Sequence, residues 1–279
     1  MGRILFKIIA WLLIVAIIAV TGYFGYLFYK NDFSFKKTFG IGVSEKLIDE
    51  REIETLKEIN IEFNSSDVDI KQSEDEKIKI SLYSDREESH EITLNEEEGI
   101  VKIVLKEKKL GFWKRLFNHK VSRVLVYLPK DYEGSINIDG NVGDITLDSY
   151  QYGLLKTKLN VGDIYVDGIK DANIDLNVGS VKVKNAYSHF DIKVNTGNVH
   201  MKEVAVLVDS TINVDVGNVR VEETNDIKVE TKVDAGKANV NINNEEAEIK
   251  LNITVRVGNI NVNEEKKVEE EPKESWLKK

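Results

Sequence analysis

Seven glycines recur along this chain at nearly fixed intervals: Gly143, Gly162, Gly179, Gly197, Gly217, Gly236 and Gly258. The spacings are 19, 17, 18, 20, 19 and 22 residues. A period of this length marks one supersecondary unit copied along the chain. Such a unit cannot bury its apolar face alone, so copies must stack on one another.

The residues flanking each glycine say what the unit is. Counting from the glycine, positions -5, -3, -1, +2 and +4 are Val, Ile, Leu or Met at 29 of 35 sites. The exceptions are Gly140, Thr157, Thr196, Thr231, Ala235 and Ala238. Positions -4, -2, +1 and +3 are polar throughout, apart from Tyr165. This is period-two alternation, which places apolar side chains on one face of a strand. A helix would scatter them over different sides. Positions -1 and +2 are three apart yet both apolar, so a two-residue corner is expected there, with glycine supplying a positive φ. Position -2 reads Asn141, Asn160, Asn177, Asn195, Asp215, Asp234 and Arg256. Stacked Asn at equivalent sites predicts a hydrogen-bonded ladder.

Two architectures satisfy this pattern. Near-equivalent repeats favour a parallel β-solenoid of ~19-residue coils, because like residues then stack on like. The Gly-Asp and Gly-Asn pairs equally suit tight turns of an antiparallel hairpin stack or a β-sandwich. The solenoid is the preferred reading, and the fold class is all-β.

Before the repeats, residues 59–130 form an N-terminal β region. Ile59, Ile61 and Phe63 alternate, Asn64-Ser65-Ser66-Asp67 reads as a turn, and Val68 and Ile70 continue. This is a degenerate copy of the later unit. Ile92 and Leu94 pair with the run from Ile100 to Leu105 across Glu96-Glu97-Glu98-Gly99, and Val124, Val126 and Leu128 end at Pro129, where a ladder loses a donor. Residues 31–58 read as a polar stalk, with Ser44 to Glu58 expected to be helical on a weak stripe of Leu47, Ile48, Ile53 and Leu56. The repeats occupy 131–263, and 264–279 is a charged tail of disordered composition.

Residues 1–30 contain a different signal. From Ile8 to Phe28, 21 residues pass without a charge. As a helix at ~1.5 Å per residue this run spans ~30 Å, the thickness of a bilayer core. Arg3 and Lys7 precede it, and Trp11, Tyr23, Tyr26 and Tyr29 lie toward its ends as interfacial aromatics do. A cleaved signal peptide would have a shorter core and small residues after it, not Tyr23-Phe24-Gly25-Tyr26. The expectation is a single-pass membrane anchor contacting lipid through residues 8–28, with the C-terminal part outside the cytoplasm.

The remaining composition narrows the chemistry. Beyond residue 30 the chain has 36 basic and 48 acidic residues, a balance of -12 that repels nucleic acid. There is no cysteine, which removes disulfides, thiolate nucleophiles and Cys-based zinc sites. His90, His119, His189 and His200 lack ligand spacing, and His90-Glu91 has no second His four residues on. Asp139, Asp144, Asp148, Asp163 and Asp167 recur, but the nine-residue Gly/Asp repeat of calcium-binding rolls is missing, so turn roles are expected. Ala235-Gly236-Lys237 lacks the frame of a phosphate loop. No catalytic, cofactor-binding or metal-binding residue is assigned. One segment differs in chemistry from the acidic domain: Leu110 to Lys120 is basic and aromatic, with Phe112, Trp113, Lys114, Arg115 and Phe117. It suits either a cap on the open end of a solenoid or an interaction surface touching headgroups or a membrane partner.

The motifs Asn64-Ser65-Ser66-Asp67-Val68-Asp69-Ile70 and Val124-Leu125-Val126-Tyr127-Leu128-Pro129, with the recurring Val-Gly-Asp/Asn-Ile/Val corners, resemble the bacterial putative-adhesin family of β-strand-repeat proteins. The resemblance covers about residues 59–263. It implies an exported β-solenoid, often behind one membrane span, in a family known mainly as domains of unknown function, some of whose members resemble accessory proteins of envelope-stress systems. It supplies no catalytic residues. Ala235-Gly236-Lys237-Ala238 and Arg256 depart from the pattern. Three functions are carried forward: a non-enzymatic envelope protein presenting a solenoid for adhesion-like binding or sensing of a membrane or cell-wall component, a tethered regulator of a membrane-bound stress system, and a carbohydrate-active enzyme whose carboxylate pair is assembled across coils.

Overall fold

Strand alternation decides the fold, and the corners decide how the strands stack. The computed structural model describes residues 46–75, 77–84, 90–95, 98–105, 122–148, 152–242 and 244–263. The expected anchor at 8–28, the basic-aromatic segment at 110–120 and the charged tail at 264–279 lie outside the described residues. Among the described residues no helix is long and apolar enough to cross a membrane.

The chain begins with β1 (Lys46–Ile53), β2 (Glu58–Gln72), β3 (Ile78–Ser84), β4 (His90–Asn95), β5 (Ile100–Leu105) and β6 (Ser122–Leu128). The repeats follow as β7 (Ser135–Val142), β8 (Ile145–Leu147), β9 (Tyr152–Val161), β10 (Ile164–Asp167), β11 (Ile169–Val178), β12 (Val181–Thr196), β13 (Val199–Val206), β14 (Ser210–Val216) and β15 (Val219–Thr224). The last two are β16 (Lys228–Val240) and β17 (Lys250–Asn263).

Every pairing between the repeats is parallel. Before the corner, β2, β7, β9, β11, β12, β14 and β17 stack in register. After it, β2, β8, β10, β12, β13, β15 and β17 do the same. This is the solenoid-like arrangement, and the hairpin-stack alternative is excluded for the repeats. The inward positions make one continuous core. Ile136, Ile174, Ile192, Ile212 and Ile253 fill one arm, and Ile145, Ile164, Val181, Val199, Val219 and Ile260 the other, each with at most 1% of its surface exposed. Gly140, an exception in the apolar pattern, makes room for the Phe63 ring: a methyl group there would fall 2.2 Å from Phe63 Cζ.

Three expectations are corrected. The stretch expected to be helical contains β1, which runs antiparallel to β3 and buries Ile53. Pairing with the β3 edge, including Lys79 Nζ to Glu50 Oε1 at 2.9 Å, outweighs a weak helical stripe. The β region therefore begins at residue 46 and not at 59. The turn expected at Asn64-Ser65-Ser66-Asp67 is a bend within one continuous strand, β2; its first half pairs with β7 and its second with β8, so it is still the first corner of the stack. The third correction concerns position -1. Val142, Val161, Val178, Val216 and Val257 do not enter the core; they are 44–51% exposed. The chain turns at this residue, so its side chain leaves the inner face and lies along the ridge of the corner.

The two ends of the stack differ. At the first end β4 lies antiparallel on β5, and β3 antiparallel on β6, which is a cap of different geometry. At the other end the coils leave sequence order. β14 and β15 pair with β17, and β16 pairs with the far side of β17. The Gly258 coil is thus inserted between the Gly217 coil and the Gly236 coil, and β16 forms the terminal rung.

Candidate functional site: the glycine corner and its polar ladders

The corner is the most regular surface of the molecule. Its glycines have φ between +143° and +150°, a region that side chains rarely adopt. Space is equally restrictive. A methyl group at Gly162 would fall 1.8 Å from Gly143 O, and one at Gly217 1.6 Å from Gly197 O. The rungs approach so closely because the corner backbone is bonded between rungs: Gly162 N donates to Val178 O at 3.0 Å, and Ile164 N to Ser180 O at 2.9 Å.

Position +1 explains the Asp and Asn found there. Its backbone N–H points to the side chain of the rung before it. Asp144 N donates to Asp67 Oδ1 at 3.0 Å, Asp163 N to Asp144 Oδ1 at 2.9 Å, and Ser180 N to Asp163 Oδ1 at 2.8 Å. Farther along, Asn218 N donates to Asn198 Oδ1, Asn259 N to Asn218 Oδ1 and Lys237 N to Asn259 Oδ1. The order 198, 218, 259, 237 repeats the exchange of the last two coils. It also accounts for Lys237: no described rung follows, so the terminal residue has no N–H to receive.

Position -2 forms the second ladder. Asn141 Nδ2 donates to Asn64 Oδ1 at 3.3 Å, Asn160 Nδ2 to Asn141 Oδ1 at 2.9 Å, and Asn195 Nδ2 to Asn177 Oδ1 at 2.6 Å. Arg256 stands in this column because it meets Asp215, with Nε 3.3 Å from Oδ1. The expected amide ladder is present, and its departure from Asn at the end is a charge pair.

Between the two ladders runs the ridge of half-exposed valines. Register places Val142, Val161, Val178, Thr196, Val216, Val257 and Ala235 one above another. Each valine is partly covered by its neighbours at the ~4.8 Å rung spacing. The result is an apolar strip flanked by exposed amides and carboxylates, repeated at every coil.

Electrostatics vary along this surface. Burial pushes the Asp67 carboxyl up, with Asp144 adding repulsion against its hydrogen-bonded N–H and Arg123. On the outer face beyond the corner, His200 Nε2 lies 2.8 Å from Glu222 Oε2, and Arg220 also bonds Glu222. These contacts, His200 first, hold the Glu222 carboxyl below the usual range. Lys202 sits between Glu203 at 3.1 Å and Glu223 at 3.3 Å, and its ammonium is held above its usual value by them.

Three of the five recurring aspartates accept a hydrogen bond from the following rung. Asp144 and Asp163 are corner acceptors, and Asp167 accepts from Asn185 Nδ2 at 2.7 Å. His189 and His200 are separate, and among the described residues no group of three or more His, Asp or Glu side chains could hold a metal ion. All seven glycines singled out lie at the corners, whereas Phe112, Trp113, Lys114, Arg115 and Phe117 lie outside the described residues. Sequence reasoning placed the ridge valines in the core; the two-residue corner was the signal that could have placed them outside.

Residues 56–279 match the Toastrack DUF4097 family. The chain belongs to that family. Among solved structures, the chain is similar to a putative adhesin from Parabacteroides merdae, 14% identical, covering 79% of this chain and 95% of that one with a TM-score of 0.41. A putative adhesin from Bacteroides fragilis is 17% identical, covering 80% and 100% with a TM-score of 0.39. A putative cell adhesion protein from Clostridium sporogenes is 14% identical, covering 79% and 100% with a TM-score of 0.38. Among curated proteins none matches.

Proposed function

We propose that this Toastrack DUF4097 protein is a non-enzymatic, membrane-anchored envelope protein that presents its solenoid outside the cell for adhesion-like binding of a cell-wall component. The observation that carries this reading is the ridge of five half-exposed valines between the two polar ladders. Contiguous exposed apolar side chains mark interaction surfaces. Here apolar groups alternate with amides across a strip that repeats at each rung, which suits an extended polymer having both C–H and hydroxyl faces, such as a cell-wall glycan. The charge-free run from Ile8 to Phe28 supplies the anchor in this reading.

The test uses the full chain reconstituted in vesicles and incubated with purified cell-wall sacculi. The vesicles sediment with the sacculi, and Val161→Asp with Val178→Asp abolishes this while leaving the melting transition cooperative. No sedimentation, or sedimentation unaffected by the two substitutions, overturns the reading. Release of sugar fragments from the sacculi overturns its non-enzymatic part.

A further inference from the structure

β17 is held differently from every other described rung. The strands on both of its sides, β14 and β15 on one and β16 on the other, all precede it in sequence. No described strand follows it. It therefore fills a slot whose two walls are made before it arrives, and residues 241–249 join it to the preceding strand.

The slot is matched to its strand in shape and in charge. Leu251, Ile253, Val255, Ile260 and Val262 are at most 1% exposed inside it. At its first end Lys250 N donates to Asp209 Oδ1 at 2.9 Å, and Lys250 Nζ lies 3.4 Å from Glu230 Oε1 on the opposite wall. Beside the corner, register sets Arg256 between Asp215 of β14 and Asp234 of β16, with its Nε 3.3 Å from Asp215 Oδ1. The same register keeps an empty slot from closing well. β16 laid directly on β14 opposes Asp234 to Asp215, two like charges one strand spacing apart. Arg256 is the residue that makes this column neutralise, and β17 alone among the rungs carries an arginine there.

None of these contacts depends on which molecule supplies the strand. The nine residues 241–249, extended, reach ~30 Å, about six strand spacings. That is enough to carry β17 from the end of one stack to the end of another facing it. We infer that two copies of this chain exchange β17, each inserting it between β15 and β16 of the other, to form a two-fold dimer. Every contact inside the slot is kept, and Val257 returns to the ridge between Val216 and Ala235 in each copy. What the exchange gives up is confined to the connection, such as the bond from Asn244 N to Ile227 O at 3.0 Å. Reciprocal exchange fills both slots, so the assembly closes at two copies.

The test uses full-length chains in mild detergent, each given one cysteine, because the natural chain has none. Arg220 of β15 faces Asn261 of β17. R220C and N261C chains are unfolded, mixed, refolded together at high concentration and mildly oxidised. A covalent heterodimer is expected, since an exchanged β17 brings the two sites onto adjacent strands, ~4.8 Å apart and within disulfide reach. R220C refolded with N239C is the control: Asn239 lies on β16, which stays with its own copy, and no cross-link is expected. Adding Arg256→Asp to the N261C chain is expected to lower the cross-linked yield at least tenfold. Adding Asp215→Lys and Asp234→Lys to the R220C chain then restores it. No R220C–N261C cross-link after joint refolding overturns the inference. So does a yield no better than that of the N239C control, as dimers held by the apolar N-terminal run would give, or a yield indifferent to Arg256→Asp. The R220C–N261C pair leaves the Arg256 column untouched, so it decides the matter even where a charge reversal disturbs folding.

Discussion

The backbone N–H of Asn259 donates to Asn218 Oδ1 at 3.0 Å, although the two are 41 residues apart and a complete coil lies between them in sequence. Gly217 N reaches Val257 O at 2.9 Å across the same gap. The coil left out, centred on Gly236, sits beyond Gly258, where Lys237 N bonds Asn259 Oδ1. The exchange has an energetic reason. Leu251, Ile253, Val255, Ile260 and Val262 of β17 are at most 1% exposed, whereas β16 offers Thr231 and Ala238 at the inward positions in register with Ile253 and Ile260. Placing the larger aliphatics inside and the smaller residues at the end removes more apolar surface from water.

The ladder at position +1 predicts an asymmetric effect of truncation. Asn218→Ala removes the acceptor for Asn259 N and is expected to cost about 1 kcal/mol. Lys237→Ala at the equivalent site of the terminal rung removes no acceptor used by a described rung and is expected to change stability by less than about 0.5 kcal/mol. Chemical denaturation of both variants checks the contrast.

At the centre of the stack, Gly217→Ala combines a φ of +150° with a contact 1.6 Å from Gly197 O. Strain and overpacking together are expected to cost about 3 kcal/mol or more, read as a lowered melting temperature. At Gly236 the only described rung in contact is on one side, so Gly236→Ala is expected to cost less, because the terminal strand can shift outward.

Thr157 Oγ1 is the one buried side-chain polar atom without a hydrogen-bond partner among the described residues, and Thr157 is 2% exposed. It replaces an aliphatic residue between Ile138 and Ile174 in register. Thr157→Val keeps the shape and removes the unpaired hydroxyl. It is expected to stabilise the fold by about 1 kcal/mol, measured by the denaturation midpoint.

Asp67 gives a pH-dependent prediction. Burial, with the Asp144 charge nearby, holds its carboxyl above the ordinary aspartate value in the folded state. The folded state therefore holds its proton more tightly than the unfolded chain, and stability falls as pH rises through that interval. Asn fits the same role, as Asn198, Asn218 and Asn259 show by accepting from the next rung. Asp67→Asn is expected to raise the melting temperature at pH 7, with the gain disappearing below the ordinary aspartate range. An unchanged difference across a melting series at several pH values contradicts the assignment.

Much of the core was legible because a strand buried on one face writes its period into the residues. Ile164, Val166, Leu176, Val194 and Val214 point inward as the alternation requires. The parallel stacking was legible in the recurrence of Asn at -2, since only like-on-like stacking joins Asn160 to Asn141. The ridge valines were not, because a corner turns one apolar position outward and composition does not record direction. β1 was missed because its strand state depends on the edge of β3 and not on its own residues. The exchange of the last coils left traces at Lys237, Arg256 and Ala235-Ala238, but these have meaning only once the terminal rung is known.

The coil order is the claim on which the ladder and the reading of β16 depend, and cysteine pairs test it directly in a chain that has none. Arg220 faces Asn261 across β15 and β17, while Asn239 lies one strand farther on, opposite Asn261. Adjacent parallel strands are ~4.8 Å apart, within reach of a disulfide, and a two-strand separation is not. Under mild oxidation Arg220→Cys with Asn261→Cys is predicted to cross-link within one chain, and Arg220→Cys with Asn239→Cys is predicted to remain reduced; the opposite result would show coils stacked in sequence order and contradict the structure at its end.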